Sequence, residues 1–150
     1  MVVSLHVATG GLAGLLAGSR LRALLIGPAL HVAADLVPHQ DIASRRFEIV
    51  SGSFCLALLA ARRGPFDPVT LGAAASSAPD LEHILPWLRP GGKKLFHRRG
   101  GSHFGGVPAG LQLLLAGAIV GVLLGTRRSS SRRQPMRGET HAANREFPGP

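Results

Sequence analysis

Five apolar runs, separated by short polar segments, constrain the fold of this chain more than any other feature. They cover residues 2–18, 21–37, 49–61, 69–78 and 107–125. None shows the strict alternation of apolar and polar residues that a half-buried strand requires. Glycine, proline or arginine stands where most of the runs end, as is typical of helix termini. The sequence therefore predicts an all-α fold, a bundle of about five short helices that run in alternating directions.

The composition of these runs favours a membrane over water. The chain is 45 % apolar, yet it has only six Phe, one Trp and no Tyr. Small side chains let helices approach closely in a bilayer, and the mean hydropathy is +0.22. Residues 107–125 carry no charge and form the best candidate for a transmembrane helix, although a buried core helix would have the same composition. We therefore expect a membrane-embedded, multi-pass bundle, in which residues 49–61 and 69–78 are too short to be predicted as spans.

The net charge of +9, from 17 basic and 8 acidic residues, is compatible with two kinds of partner. In a soluble protein it would suggest nucleic acid, but anionic lipid head groups account for it equally well. Residues 126–150 are rich in Arg, Ser, Pro and Gly, which predicts a disordered basic tail after a helical domain at 1–125. That tail has a single aromatic residue, Phe147, so nucleic acid is the less favoured partner. Membrane lipid is the expected partner, and the sequence indicates no oligomeric state.

One stretch concentrates side chains that can bind a metal ion. It reads His31-Val-Ala-Ala-Asp35-Leu-Val-Pro38-His39-Gln-Asp41 and ends the second apolar run. His31 and Asp35 are four residues apart and share one face of a helix. Pro38 is expected to end that helix, which places His39 and Asp41 in the following turn. The same spacing also suits a hydrogen-bonded His–Asp pair that only ties helices together.

If the five helices alternate in direction, most histidines and half of the acidic residues gather at one end of the bundle. Cys55 is the only cysteine, so a metal site would have imidazole and carboxylate ligands, which suit zinc and similar divalent ions. An ion with an open position lowers the pKa of bound water and provides a nucleophile near neutral pH. The residues expected at this end are His6, His31, Asp35, His39, Asp41, Asp80, Glu82, His83, His97 and His103.

Each outlying group also has a purely structural interpretation. His6 lies in an apolar run, where a histidine is more often a packed core residue. Asp80 and Glu82 follow a proline, so they could cap a helix and interact with its dipole. The segment from His97 to His103 could be a solvated basic loop. Asp41 or Glu82 could act as a general base if neither is a ligand.

The order of these residues resembles that of a known family. His6 is followed by H-x-x-x-D-x-x-P-H-x-D at 31–41, by PDLEH at 79–83 and by HRRGGSH at 97–103. This order is similar to that of the bacterial inner-membrane-associated metal-dependent hydrolases, and its H-x-x-x-D element is similar to one in zinc-dependent phospholipase C. The chain has Glu82 where the family motif has Asp, and one extra residue between the last two histidines. The resemblance implies a helical protein of the bacterial inner membrane whose metal ligands include His31, Asp35, Asp80, His83, His97 and His103.

Two hypotheses of function follow. The first is a membrane-bound, metal-dependent hydrolase that acts on a phosphoester or lipid-like substrate through a metal-activated water, with zinc as the expected ion. The second is a non-enzymatic membrane protein in which the His/Asp cluster is structural. Loss of hydrolysis in a folded variant of Asp35 or His83 would favour the first hypothesis, whereas loss of folding without any activity to lose would favour the second.

Overall fold

The computed structural model describes residues 1–85, 90–93 and 105–126, and within these ranges the protein is all-helical. Five main helices alternate in direction, as the apolar runs predict. A short 3-10 turn and a four-residue helix follow the fourth of them. The elements are α1 (Val3–Ala17), α2 (Arg20–Asp35), α3 (Arg45–Arg63), α4 (Pro68–Ser77), the 3-10 turn Ala78–Asp80, α5 (Leu81–Ile84), a second 3-10 turn (Pro90–Gly92) and α6 (Ala109–Gly125).

Local sequence explains where the helices begin and end. Gly18 takes a left-handed conformation, with φ of 61°, and its N–H bonds back to the carbonyl of Gly14. Ser44 caps α3 by accepting a hydrogen bond from the N–H of Phe47 at 3.3 Å, so α3 begins four residues before its apolar run. Asp67 caps α4 by accepting from the N–H of Val69 at 2.9 Å. These caps satisfy N–H groups that have no partner within their own helix.

α1 is the central helix of the bundle. Its buried residues Leu5 and Ala8, with Val2 just before it, pack with Ala116 and Val120 of α6. On its other side, Val7 belongs to a second buried cluster with Leu59, Val69, Ala73 and Leu123. The first cluster joins α1 to α6, and the second joins it to α3, α4 and α6.

A buried arginine lies at the end of the bundle that is opposite the first turn of α1. Arg63 is 3 % exposed and donates to the carbonyl oxygens of Leu123 and Thr126, at 3.1 and 3.0 Å. It also donates to the Thr126 hydroxyl at 2.7 Å and to Asp67 at 3.3 Å. Because the last carbonyls of a helix lack intrahelical partners, Arg63 acts as a C-terminal cap for α6.

We expect Arg63→Met to lower the free energy of unfolding by about 2–4 kcal/mol, because it leaves buried carbonyl and carboxylate groups without their charged donor. Metal binding at the opposite end should stay unchanged. Urea unfolding followed by circular dichroism measures the first effect, and equilibrium dialysis with zinc measures the second. A loss of stability below 0.5 kcal/mol, a value typical of surface substitutions, would contradict the assigned capping role.

The prediction of a membrane-embedded, multi-pass bundle in the bacterial inner membrane is wrong by this structure. No described helix is both long enough and apolar enough to cross a membrane. Val107 lies in a backbone bridge and Pro108 caps α6, so the best transmembrane candidate is a 17-residue helix. That length is about 26 Å, against a hydrocarbon core of about 30 Å. α3 has 19 residues, but Arg45, Glu48 and Arg63 are among its charged side chains.

The sequence predicted a domain at 1–125 and a disordered tail at 126–150, and the structure describes residues from the first of these and one residue of the second. Helical structure reaches Gly125, and Thr126 is the last described residue of the chain. Residues 127–150 lie outside the described ranges, so their predicted disorder stays a prediction.

Candidate metal centre

Three side chains from separate elements form a group that could hold a metal ion. His6 comes from α1, His31 from α2 and Asp80 from the 3-10 turn that follows α4. One ligand atom from each lies within 4.8 Å of the other two, and both imidazoles are at most 1 % exposed. Ligands of a tetrahedral zinc ion are about 3.3–3.5 Å apart, given bonds of about 2.0–2.2 Å. The three donors therefore need only small movements to coordinate one ion.

His31 is oriented by the backbone of α4. Its Nδ1 lies 2.8 Å from the carbonyl oxygen of Ser76. Because a carbonyl only accepts hydrogen bonds, Nδ1 carries the proton. The other nitrogen, Nε2, then faces Asp35 Oδ2 at 3.2 Å and Asp80 Oδ1 at 3.9 Å. A metal ion placed between this nitrogen and the two carboxylates would contact all three groups, and a backbone carbonyl on the far nitrogen is the usual support of a metal-binding histidine.

His6 stacks on His31, with ring centroids 3.9 Å apart and an interplanar angle of 27°. Its Nε2 lies 3.1 Å from Asp35 Oδ1. Burial lowers the pKa of His6 from 6.5 to about 4, against the opposing effect of Asp35. The ring is therefore neutral at physiological pH, the form in which imidazole binds metal. Among the described residues, its buried Nδ1 has no hydrogen-bond partner.

The lowered pKa of His6 predicts a loss of stability in acid. The folded chain binds a proton at this site less readily than the unfolded chain, so stability is full above pH 6.5 and falls as the pH drops from about 6.5 to about 4. The loss from this group alone is about 3 kcal/mol, at about 1.4 kcal/mol per pKa unit. Urea unfolding of metal-free protein across this range measures it, with His6→Gln as the matched variant. An equal pH dependence in wild type and His6→Gln would contradict the prediction.

Asp35 contacts both imidazoles and also the amino group of Met1. Its Oδ2 faces His31, while its Oδ1 faces His6 and also the amino group of Met1, at 3.0 Å. α2 ends at Asp35 because the N–H groups of Leu36 and Val37 bond to carbonyls three residues back, tightening the last turn. The side chain is 23 % exposed, so this carboxylate contacts both the buried imidazoles and the solvent.

His39 and Asp41 lie beside this group, in the extended segment after α2. His39 is 1 % exposed, and its Nδ1 donates to the carbonyl oxygen of Val37 at 2.6 Å. Its Nε2 contacts the Met1 amino group and lies 3.1 Å from Asp41 Oδ1. Asp41 is 45 % exposed, so this part of the cluster is open to solvent.

Gln112, which the sequence interpretation did not single out, fixes this extended segment to α6. It is fully buried, and its amide nitrogen donates to the carbonyls of Gln40 and Val107 at 2.8 and 3.0 Å. Its oxygen accepts from the N–H of Val2 at 3.0 Å. A lone glutamine in an uncharged 19-residue run was the available signal, because a buried amide requires partners.

The cluster lies at an electrostatically suitable end of the bundle. α2 ends at Asp35 and α4 ends at Ser77, directly before the turn with Asp80. Helix C-termini carry partial negative charge and favour cations. Asp80 stands at the N-cap position of α5 but makes no side-chain capping bond there.

Of the remaining predicted residues, only Glu82 has a side chain within the described part of the chain. Glu82 is buried at 3 % exposure, two residues after Asp80. His83 belongs to α5, but its side chain is outside what the structure describes. His97 and His103 lie outside the described residues altogether. Metal-binding roles for these three histidines therefore stay predictions.

Comparison with known proteins does not extend this description. No family model, no curated protein and no solved structure matches the chain. The resemblance to metal-dependent hydrolases thus rests on the motif residues alone.

Proposed function

We propose that this protein is a metal-dependent hydrolase that acts on phosphoesters with an apolar group. His6, His31, Asp35 and Asp80 would hold one divalent ion, and zinc is the ion that this donor set suits best. The observation that carries the proposal is the position of His31 Nε2, which faces the two carboxylates while Nδ1 is held by the Ser76 carbonyl.

The ion would supply a nucleophile near neutral pH by lowering the pKa of a water molecule bound to it. The chain's own residues orient and open the site. The backbone of α4 holds His31, and stacking holds His6. The partly exposed carboxylate of Asp35 leaves a path for water and substrate. Asp41 and Glu82 are the candidates for the general base.

The surroundings of the cluster support the substrate class. Leu36 and Val37 directly follow Asp35, and Leu81 directly follows Asp80; these three side chains are 80 %, 44 % and 43 % exposed. Exposed apolar side chains beside a site fit the apolar part of a lipid-like substrate. Arg45 and Arg46 are exposed at the start of α3, four and five residues after Asp41, where guanidinium groups favour a phosphate.

Hydrolysis of bis(p-nitrophenyl) phosphate by the full zinc-loaded chain tests the proposal. Chelation should abolish the activity and added zinc should restore it. Asp80→Asn should lower kcat/KM by about 100-fold or more, since it removes a ligand. Asp67→Asn is the matched control. It removes a carboxylate at the start of α4, which is separated from the cluster by the length of that helix, roughly 15 Å. Asparagine is itself a good N-cap, so α4 keeps its cap. Hydrolysis that persists after chelation, or survives Asp80→Asn unchanged, would refute the proposal.

One observation favours a structural role as the second candidate. Asp35 is within hydrogen-bond distance of both His6 and His31, so the cluster ties α1 to α2 without an ion. If this is its whole role, Asp35→Asn lowers the midpoint of thermal unfolding and the wild-type chain, loaded with zinc, hydrolyses no phosphoester.

A further inference from the structure

We propose that the same end of the bundle binds a second divalent ion, held by His39, Asp41 and Asp35, and that Asp35 bridges the two ions. This inference deepens the proposed function and rests on it, because the first ion is the one at His6, His31 and Asp80. It changes the role of Asp41 from candidate base to ligand and leaves Glu82 as the candidate base.

The donor atoms of His39 and Asp41 have the separation that one ion requires. His39 Nε2 and Asp41 Oδ1 are 3.1 Å apart, close to the spacing of about 3.3–3.5 Å between ligands of one zinc ion. The Val37 carbonyl accepts from Nδ1 of His39, and Nε2 faces Asp41. This is the same support that Ser76 gives to His31, and the two histidines are thus presented in the same way.

A positive charge already lies among these three side chains. The amino group of Met1 contacts His39 Nε2 and lies 3.0 Å from Asp35 Oδ1 and 3.9 Å from Asp41 Oδ1. An ammonium group donates hydrogen bonds and accepts none, so His39 Nε2 and Asp35 Oδ1 act as acceptors here, and Asp41 Oδ1 faces the same charge from ion-pair distance. A divalent ion in the place of the ammonium group would use the same three atoms.

Asp35 is placed to serve both ions. Its Oδ2 is 3.2 Å from His31 Nε2, on the side of the first ion. Its Oδ1 is 3.0 Å from the Met1 amino group, on the side of the second, and 3.1 Å from His6 Nε2. One carboxylate with an oxygen toward each position is the usual bridge of a two-metal site, where ions about 3.5–4 Å apart stabilise the attacking and leaving oxygens of a phosphoester.

The segment that carries the second group of ligands is held by hydrogen bonds on one side and is exposed to solvent on the other. Gln112 and the backbone pairing of Gln40 with Val107, at 3.0 Å, hold the segment that carries His39 and Asp41. Gly106 has φ of +87°, and a Cβ there would collide with the carbonyl oxygen of Pro38. Asp41 remains 45 % exposed, so an ion and a substrate phosphate can both reach this position from solvent.

Titration of the metal-free full chain with cobalt(II), followed by equilibrium dialysis and electron paramagnetic resonance, tests the inference. Wild type and Asp67→Asn should bind about two equivalents, and His39→Gln and Asp41→Asn about one, as expected for a two-metal site. The signal per cobalt should fall as the second equivalent binds, because ions that share a carboxylate couple magnetically. Asp41 is partly exposed, so its variant should fold even if the His39 variant does not.

The outcomes separate this inference from the proposed function. If wild type binds one equivalent of cobalt and hydrolyses bis(p-nitrophenyl) phosphate, the second site is refuted and the proposed function stands. If wild type binds two equivalents of cobalt but hydrolyses no phosphoester, the second site is supported and the proposed function is refuted. Two equivalents in Asp41→Asn, with unchanged magnetic coupling, overturn the assignment of Asp41.

Discussion

Replacing His31 by glutamine should weaken zinc binding by about 100-fold or more, the largest loss we expect from any single change at the cluster. His31 supplies the Nε2 that faces Asp35 and Asp80, and its Nδ1 is held by the Ser76 carbonyl. Glutamine can still donate to that carbonyl, but it offers no imidazole nitrogen. Competition with a chromophoric chelator measures the affinity, and circular dichroism checks that the variant is folded.

Asp67→Asn serves as the control for this measurement too. Asp67 pairs with Arg63 at 3.3 Å and caps α4 at the end opposite the cluster. The control should therefore keep wild-type zinc affinity. A folded His31→Gln protein that binds zinc as tightly as wild type would show that His31 is not a ligand, and would leave the structural interpretation of the cluster.

Replacing Gly72 by alanine should lower the free energy of unfolding by about 2–3 kcal/mol, although alanine favours helices. α4 crosses α1 closely at this position. A Cβ on Gly72 would collide with the carbonyl oxygen of Gly10 and come within 3.1 Å of the Gly14 Cα atom. Both of these neighbours are backbone, which cannot move aside as a flexible side chain could.

Gly117→Ala in α6 is the matched control for the close approach. Gly117 is exposed and helical, and no described atom lies within 4 Å of a Cβ built there. This change should stabilise the protein by about 1 kcal/mol through helix propensity alone. Equal effects of the two substitutions in urea unfolding would show that α1 and α4 are not packed as closely as the structure has them.

The helices were predictable from sequence because each main helix has its own apolar run and polar boundary. The i, i+4 spacing of His31 and Asp35 likewise identified one face of α2. The close packing of α1 on α4 was not predictable, because glycines such as Gly72 give no signal of which helix they meet. The membrane prediction failed because residues such as Val107 and Pro108 count as apolar in sequence but form a bridge and a cap in the structure.

The sequence indicated which residues would form the candidate site, but not the contacts that they make with one another. The sequence indicated that His6, His31 and Asp80 would lie at one end, since alternating helices require it. It did not indicate that His6 stacks on His31 or that Asp35 contacts both His6 and the amino group of Met1. Those features depend on the rotation of α1 about its axis, which packing with α4 and α6 determines.

The central claim is that His6, His31 and Asp80 hold a metal ion. Anomalous diffraction from crystals of the full chain grown with zinc, with data on both sides of the zinc absorption edge, tests it most directly. We predict a zinc peak about 2.0–2.2 Å from one ring nitrogen of His6, from His31 Nε2 and from an Asp80 oxygen. A map with no peak among these three side chains, from a chain folded as described, would contradict the claim.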